Sequence, residues 1–250
     1  MAKNKDGYTP RFGDIVTELK HYESFFENKR VACCFDGIDG DVLRDIYADF
    51  DLFDNAVVSH KIIDTHDVII AFPRASCFYD SIKYAISKGK KFLFVGDMRD
   101  IISDELFSYL QNNELWFGIK PLRYFLRADG SSKSDSHIRW FTNMHHFRRD
   151  YVTEDAWLAG QTLRWIDNYS AIYVSSIWGI PALYMDEMAI PLSFIEYYNP
   201  EYFEIIGNSK QLAGVIEIDG RIRKEGFYLN HKRLPDCVVV KRKKIKINKD

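Results

Sequence analysis

No stretch of this 250-residue chain approaches the roughly 18–20 uninterrupted apolar residues that a membrane helix needs. Cysteine is scarce: Cys33 and Cys34 are adjacent, while Cys77 and Cys237 lie far off, which makes neither a disulfide framework nor a paired Cys-x-x-Cys zinc site. These four read as reduced thiols, and no metal site is expected. The start, Met1 to Gly7, is polar and lacks an apolar secretory core, so the expected location is cytoplasmic. There is no Gly-Lys-Ser/Thr P-loop and no dinucleotide fingerprint. No linker rich in proline or glycine splits the chain, and a single domain over 1–250 is expected. With 46% apolar and 28% charged residues, collagen, coiled coil, repeat array and disorder are excluded.

The net charge of −2 conceals strong local asymmetry. Residues 36–67 hold nine aspartates against Arg44 and Lys61. Residues 120–149 hold seven basic residues against Asp129 and Asp135, and the tail 241–250 holds six against Asp250. Such runs read either as solvated faces or as surfaces for a polyanion.

Short apolar runs alternate with segments of helical period. The pattern predicts helices over Ile15–Phe26, Asp41–Phe53, Ser76–Lys88 and Ile101–Asn112. It predicts strands over Arg30–Phe35, Asn55–Ser59, Asp67–Phe72, Lys91–Val95 and Glu114–Gly118. This alternation implies an α/β protein with a mostly parallel sheet and helices on both faces. Beyond residue 120 mixed or antiparallel additions are expected at Arg123–Arg127, Ile138–Thr142 and Val215–Ile218, with a polar loop over 127–136. Ile222–Ile247 reads as a terminal hairpin, with Val238–Val240 buried and 244–247 alternating as an edge strand would. The expected division is a cofactor-fold core at 1–120 and an extension at 121–250 facing DNA or a partner.

One turn carries chemistry. Strand, then Phe35-Asp36-Gly37-Ile38-Asp39-Gly40, then helix suits a nucleoside cofactor, because glycines admit the ligand to the backbone and a helix N-terminus favours negative charge. Many α/β proteins turn on glycines without a ligand. Adjacent His145 and His146 lack zinc spacing. Thr65-His66-Asp67 reads as a capped turn, with no nucleophile motif nearby. The aromatics Tyr22, Phe25, Phe26, Trp116, Phe117, Trp140, Phe141, Trp165 and Trp178 read as core or as base-stacking platforms. Tyr151–Pro181 has more large apolar residues than one helix face can hide, and an exposed part of it would suggest a partner surface.

Several blocks carry a resemblance: Asp67-Val-Ile-Ile-Ala-Phe-Pro73, Lys90–Asp97, Leu115–Gly118, Trp140-Phe-Thr-Asn-Met-His-His146 and Ile190–Gly207. Together they resemble the EcoRI-type adenine-N6 DNA methyltransferases over nearly the whole chain. Tyr8-Thr9 followed by Ile15, Glu18-Leu19 and His21-Tyr22 is similar to that family's N-terminal cofactor-contacting segment. The resemblance implies a class I, Rossmann-like S-adenosylmethionine-dependent fold. It implies cofactor at Tyr8, Thr9, Asp36, Gly37 and Gly40, and DNA on the basic side. Nucleic-acid contacts are expected from Lys120, Arg123, Arg127, Lys133, Asn143, His145, Arg148 and Arg149. Six phosphate contacts from the lysines and arginines would give a log–log salt slope of about −5.

Two departures bear on activity. The family's catalytic strand ends in Asn/Asp-Pro-Pro-Tyr/Phe, whose amide and carbonyl accept hydrogen bonds from the adenine amino group and whose ring stacks on the extruded base. Here Phe72-Pro73-Arg74-Ala75 occupies those positions. Phe72 offers no acceptor, Arg74 brings a cation to where positive charge develops, and Ala75 removes the stacking ring. Secondly, Gly40 to Asp67 leaves room for one helix and one short strand, whereas each strand-plus-helix unit of the fold takes about 20–30 residues. Asp36 is the remaining acidic candidate for the ribose, with Asp64 or Asp67 as stand-ins. The expectation is a degenerate, inactive methyltransferase-like protein that binds S-adenosylmethionine or no cofactor. It would be retained for DNA or a protein partner, without membrane, alone or in a homo- or hetero-oligomer. Two alternatives stand beside it: an active methyltransferase of restriction–modification type with a rebuilt site, and a phage- or mobile-element-type factor countering host defence, whose aspartates imitate DNA phosphates.

Overall fold

Runs of β-branched and aromatic residues form the strands around which the chain is organised. The structure, a computed structural model, describes residues 9–35, 57–58, 65–73, 75–126, 131–150, 163–181, 183–223 and 225–243. The chain divides into two compact units, 1–146 and 147–250.

The first unit runs β1 (Thr9–Pro10), α1 (Phe12–Leu19), α2 (Glu23–Phe26), β2 (Val31–Phe35), β3 (Val57–Val58), β4 (Val68–Phe72), α3 (Phe78–Ser87), β5 (Lys91–Asp97), α4 (Asp104–Gln111), β6 (Trp116–Phe117), β7 (Tyr124–Leu126), β8 (Ser132–Ser134) and β9 (Ile138–Thr142). Six strands form one sheet in the order β3-β2-β4-β5-β9-β6. The first four are parallel, and β9 is antiparallel to both β5 and β6. Alternation along the strands sends Val31, Cys33, Val68, Ile70, Leu93, Val95 and Trp140 to the face covered by Ile15, Leu19, Tyr22 and Phe26. Each such fully buried side chain contributes about 1.5–3 kcal/mol. Phe141 follows Trp140 and so faces the other way, where Phe78 of α3 meets it edge-on at 4.9 Å and Phe117 at 5.0 Å. Gly96 is required here, since a Cβ would lie 2.3 Å from the Phe78 ring.

The elements depart from the periodicity where local chemistry intervenes. The opening helix tightens to a 3-10 turn at Lys20–Tyr22. The helix expected from Ile101 begins as a 3-10 turn, Met98–Ile102, and restarts at α4 because the Ser103 hydroxyl accepts from the Leu106 amide. Ser132–Ser134, expected as loop, pairs with β7. The helix expected over 41–53 lies outside the described residues.

The second unit contains β10 (Ile172–Tyr173), β11 (Met188–Pro191), β12 (Phe203–Asn208), α5 (Ser209–Leu212), β13 (Ile216–Ile218), β14 (Arg221–Arg223), β15 (Tyr228–Leu229), β16 (Lys232–Arg233) and β17 (Cys237–Arg242). A four-stranded sheet has the order β10-β11-β17-β12. Its core includes Ile166, Ala171, Ala189, Phe227, Cys237 and Val239. Among the described residues of the terminal hairpin expected over 222–247, the long strand has partners outside that segment. β17 pairs on both sides, with β11 and β12, because Cys237–Val240 are all buried and such a run belongs at a sheet centre. The hairpins are β13–β14 and β15–β16, turning on Asp219-Gly220 and Asn230-His231 with positive φ throughout. The Asp167 carboxylate accepts from the amides of Asn230 and His231 and holds the second turn. The edge expected at 244–247 lies outside the described residues.

The α/β architecture is therefore mixed. Among the described residues parallel pairing is confined to β3-β2-β4-β5 and the short β10/β11 pair, so the sheets they form are largely mixed or antiparallel. β7, β8 and β9 belong to the first unit, with β9 inserted between β5 and β6.

Candidate active-site edge and basic rim

β2 and β4 are parallel neighbours in register from Val31↔Val68 to Phe35↔Phe72. From this pair the chain winds outward both ways, to β3 beside β2 and to β5 beside β4. Ligands of open parallel sheets bind beyond the strand ends at such a reversal. The ends are Phe35, which leads into the glycine turn, and Phe72, which leads into Pro73, so the two motifs singled out in the sequence start side by side. Tyr8, Asp36, Gly37, Gly40, Asp64 and Arg74 lie outside the described residues. Thr9 pairs through its backbone with Leu126 of β7.

At this edge Phe72 is half-buried, and its ring meets Trp140 edge-on at 5.4 Å and 73°. It packs against the cluster that joins α1 to the sheet. Pro73 is half-buried, and Ala75 opens an exposed 3-10 turn, Ala75–Cys77. Among the described residues, the end of β4 and the positions after it thus offer a ring, a pyrrolidine and a methyl, with no side-chain amide. Asp97 ends β5 on the same edge, where burial opposes its ionisation but hydrogen bonds and charge from Arg99 prevail and hold its carboxyl below the usual range. Asp67 is excluded as a ribose partner by its position. It precedes β4, at the opposite edge, and chelates Arg30 through the backbone amide (3.0 Å) and the guanidinium (3.3 Å). Neighbouring Thr65 and His66 bond each other at 3.2 Å, in keeping with a turn.

A residue that periodicity alone does not single out is Glu18. It is fully buried on α1, and its two oxygens accept from the Ile119 amide (2.8 Å), the Lys120 amide (2.6 Å) and the Tyr22 hydroxyl (3.0 Å). Gly118 permits this approach, since a Cβ there would fall 2.3 Å from the carboxylate and 2.8 Å from Trp140 Cβ. The signal that could have found it is a carboxylate sharing a helical face with Ile15, Leu19 and Tyr22.

The expected nucleic-acid contacts separate into two groups. Lys120, Arg123 and Lys133 are exposed on or beside β7 and β8, near Arg11, whose guanidinium lies 4.6 Å from the Tyr124 ring centre. His145 is exposed as well. Asn143 instead braces the sheet, since its amide accepts from the Phe92 amide (3.1 Å) and donates to the Lys90 carbonyl (2.8 Å). Arg148 pairs with Glu196 over the Tyr197 ring. Arg149 is only 3% exposed and donates to the Tyr198 carbonyl at 2.7 Å. Burial lowers its pKa to about 10. It serves as an internal strut of the second unit. Arg127 lies outside the described residues.

His146 turns inward and bonds the Phe117 carbonyl at 2.8 Å, away from exposed His145. Among the described residues no group of three or more His, Cys, Asp or Glu could hold a metal ion, and no helix is long and apolar enough to cross a membrane. Cys33, Cys77 and Cys237 are free thiols.

The family model described as "Adenine-specific methyltransferase EcoRI" matches residues 53–248, which leaves the glycine turn and the N-terminal segment outside the match. The type II methyltransferase M.MgeORF184P of Mycoplasma genitalium is 23% identical over 82% of this chain and 83% of its own. M.EcoRI of Escherichia coli is 27% identical over 70% of this chain and 61% of its own. M.MpnI of Mycoplasma pneumoniae is 25% identical over 82% of each. No solved structure matches.

Proposed function

We propose, from the premise that this chain belongs to the adenine-specific methyltransferase EcoRI family, that it is a methyltransferase-like protein which binds nucleic acid without transferring a methyl group to adenine. The observation that carries the reading is Phe72. The position from which an amide would hold the adenine amino group is occupied by a ring packed edge-on against Trp140. A phenyl ring accepts no hydrogen bond of the strength needed to orient N6 or to stabilise charge developing on it.

The reversal at β2/β4 supports a Rossmann-like first unit. Among the described residues a single short strand, β3, flanks β2 on the outer side, where a full mononucleotide-binding half has two. The described carboxylates do not fit an S-adenosylmethionine ribose: Asp67 is at the far edge, and Asp97 is engaged by Arg99. The two units are read as working together as one methyltransferase-like protein.

Binding is assigned to the exposed cations Lys120, Arg123 and Lys133. With three phosphate contacts instead of six, duplex affinity should fall with salt at a log–log slope of about −3. The deciding assay incubates the protein with tritiated S-adenosylmethionine and a mixed DNA pool. No incorporation is expected, and calorimetry should give no heat up to millimolar cofactor. Label in DNA that disappears in Phe72→Ala would overturn the reading.

A further inference from the structure

The second unit contains a cavity of about 440 Å³ lined by Arg164, Tyr173, Ser175, Ser176 and Trp178, with Pro181 at one side. Its walls follow from the local backbone. The Tyr173 amide bonds the Arg164 carbonyl at 2.7 Å, which sets Arg164 beside β10. Its guanidinium then lies 5.1 Å from the Tyr173 ring centre. No carboxylate among the described residues pairs with Arg164. Further along the chain, Ile177–Gly179 form a 3-10 turn that presents Trp178, 60% exposed and edge-packed on Tyr197 at 6.4 Å. A cation without a carboxylate, two aromatic rings and two serine hydroxyls around one polar cavity form a pattern suited to a flat heterocycle carrying an anion.

We propose that this cavity binds one unstacked nucleotide of a single strand, with the base against Trp178 and its phosphate on the guanidinium of Arg164. The inference rests on the reading above in taking nucleic acid as the partner, but it uses none of the residues at the end of β4 or on the rim of β7 and β8. Stacking on an aromatic side chain tolerates any base, because every base has a π-face, while the phosphate supplies the salt-sensitive part. The cavity therefore selects a nucleotide over a nucleoside and a single strand over a closed duplex, whose bases are stacked on one another.

The test uses the full chain and a fluorescein-labelled oligo-dT of about eight nucleotides, a length within one stacking-groove site. Trp178→Ala should weaken binding about ten-fold, and Trp178→Phe should restore most of it. Arg164→Gln should lower the magnitude of the log–log salt slope by about 0.7, the increment for one phosphate on a single strand. By calorimetry dAMP should bind more tightly than deoxyadenosine. Unchanged affinity in both Trp178→Ala and Arg164→Gln, or equal affinity for dAMP and deoxyadenosine, overturns the proposal. Duplex binding that depends on Lys120, Arg123 and Lys133 while oligo-dT fails to bind would sink this inference and leave the function proposed above standing. Oligo-dT binding lost in the Trp178 and Arg164 variants, with no duplex binding, would support the cavity and refute the rim.

Discussion

Trp140 in the first unit is wholly buried against Phe72, whereas Trp178 in the second stands 60% exposed beside a cavity. The contrast extends beyond that pair. Among the described residues, of the large apolar side chains left exposed Tyr124 belongs to the first unit, while Phe147, Trp165, Trp178, Leu183, Met185, Val215 and Ile222 belong to the second. Burying a large side chain yields about 1.5–3 kcal/mol, so the exposed rings of the second unit contribute less to folding than Trp140 does. In the first unit the ring at the end of β4, Phe72, packs against the core while remaining half-buried itself. Aromatic rings of one kind thus serve packing in one unit and stand at the surface in the other.

Substitutions can break or sharpen this contrast. Trp140→Ala should cost about 3–5 kcal/mol in urea denaturation, while Trp178→Ala should stay within about 0.5 kcal/mol. A loss above about 1 kcal/mol at Trp178 would assign that ring to the fold. Gly118→Ala should cost about 2–3 kcal/mol, because its methyl would collide with both the Glu18 carboxylate and Trp140. Phe72→Asn should cost about 2 kcal/mol by the same measurement, through lost aromatic packing at a half-buried site, and should confer no methyl transfer. A stability-neutral Phe72→Asn would mean that the ring is free to serve a site. Arg149→Met should cost about 1 kcal/mol, since the lost bond to the Tyr198 carbonyl is partly offset by no longer burying a charge.

The smallest effect concerns pH. Hydrogen bonds from Arg30 hold Asp67 below its ordinary value of 3.8, and Arg99 does the same for Asp97 against the opposing effect of burial. A carboxyl depressed in the folded state stabilises the fold above its unfolded pKa and loses that contribution as pH falls through the folded one. Unfolding free energy measured from neutral pH downward should therefore decline below about pH 4, and less steeply in Asp97→Asn. An identical acid profile in the variant would remove Arg99 as the cause.

Much of the first unit is legible in the residues alone. Val68–Phe72 and Lys91–Asp97 are β-branched or aromatic runs bounded by turn residues, and they form strands close to where periodicity puts them. Tyr22, Phe26, Trp140 and Phe141 lie in the core, one of the two readings open to them. That Phe72, Pro73, Arg74 and Ala75 offer no carboxamide is visible from residue types alone. Pairing is less accessible. Val238–Val240 announce a buried strand, but whether it lies in a hairpin or between β11 and β12 depends on partners about 30 and 50 residues away, about which local periodicity carries no information. The charge counts likewise group Arg149 with Lys120, although one is internal and the other exposed.

Residue types and their spacing by themselves determined the mixture of strands and helices, the family likeness and the absence of an amide at the end of β4, because each depends on covalent identity and near neighbours. Only the tertiary structure decided that Phe72 leans on Trp140, that Glu18 secures the Ile119 and Lys120 amides, that Asp67 lies at the wrong edge, and which cations reach solvent. Those outcomes turn on which segments are brought into contact, and burial and hydrogen bonding give a side chain its role only after the chain has closed around it.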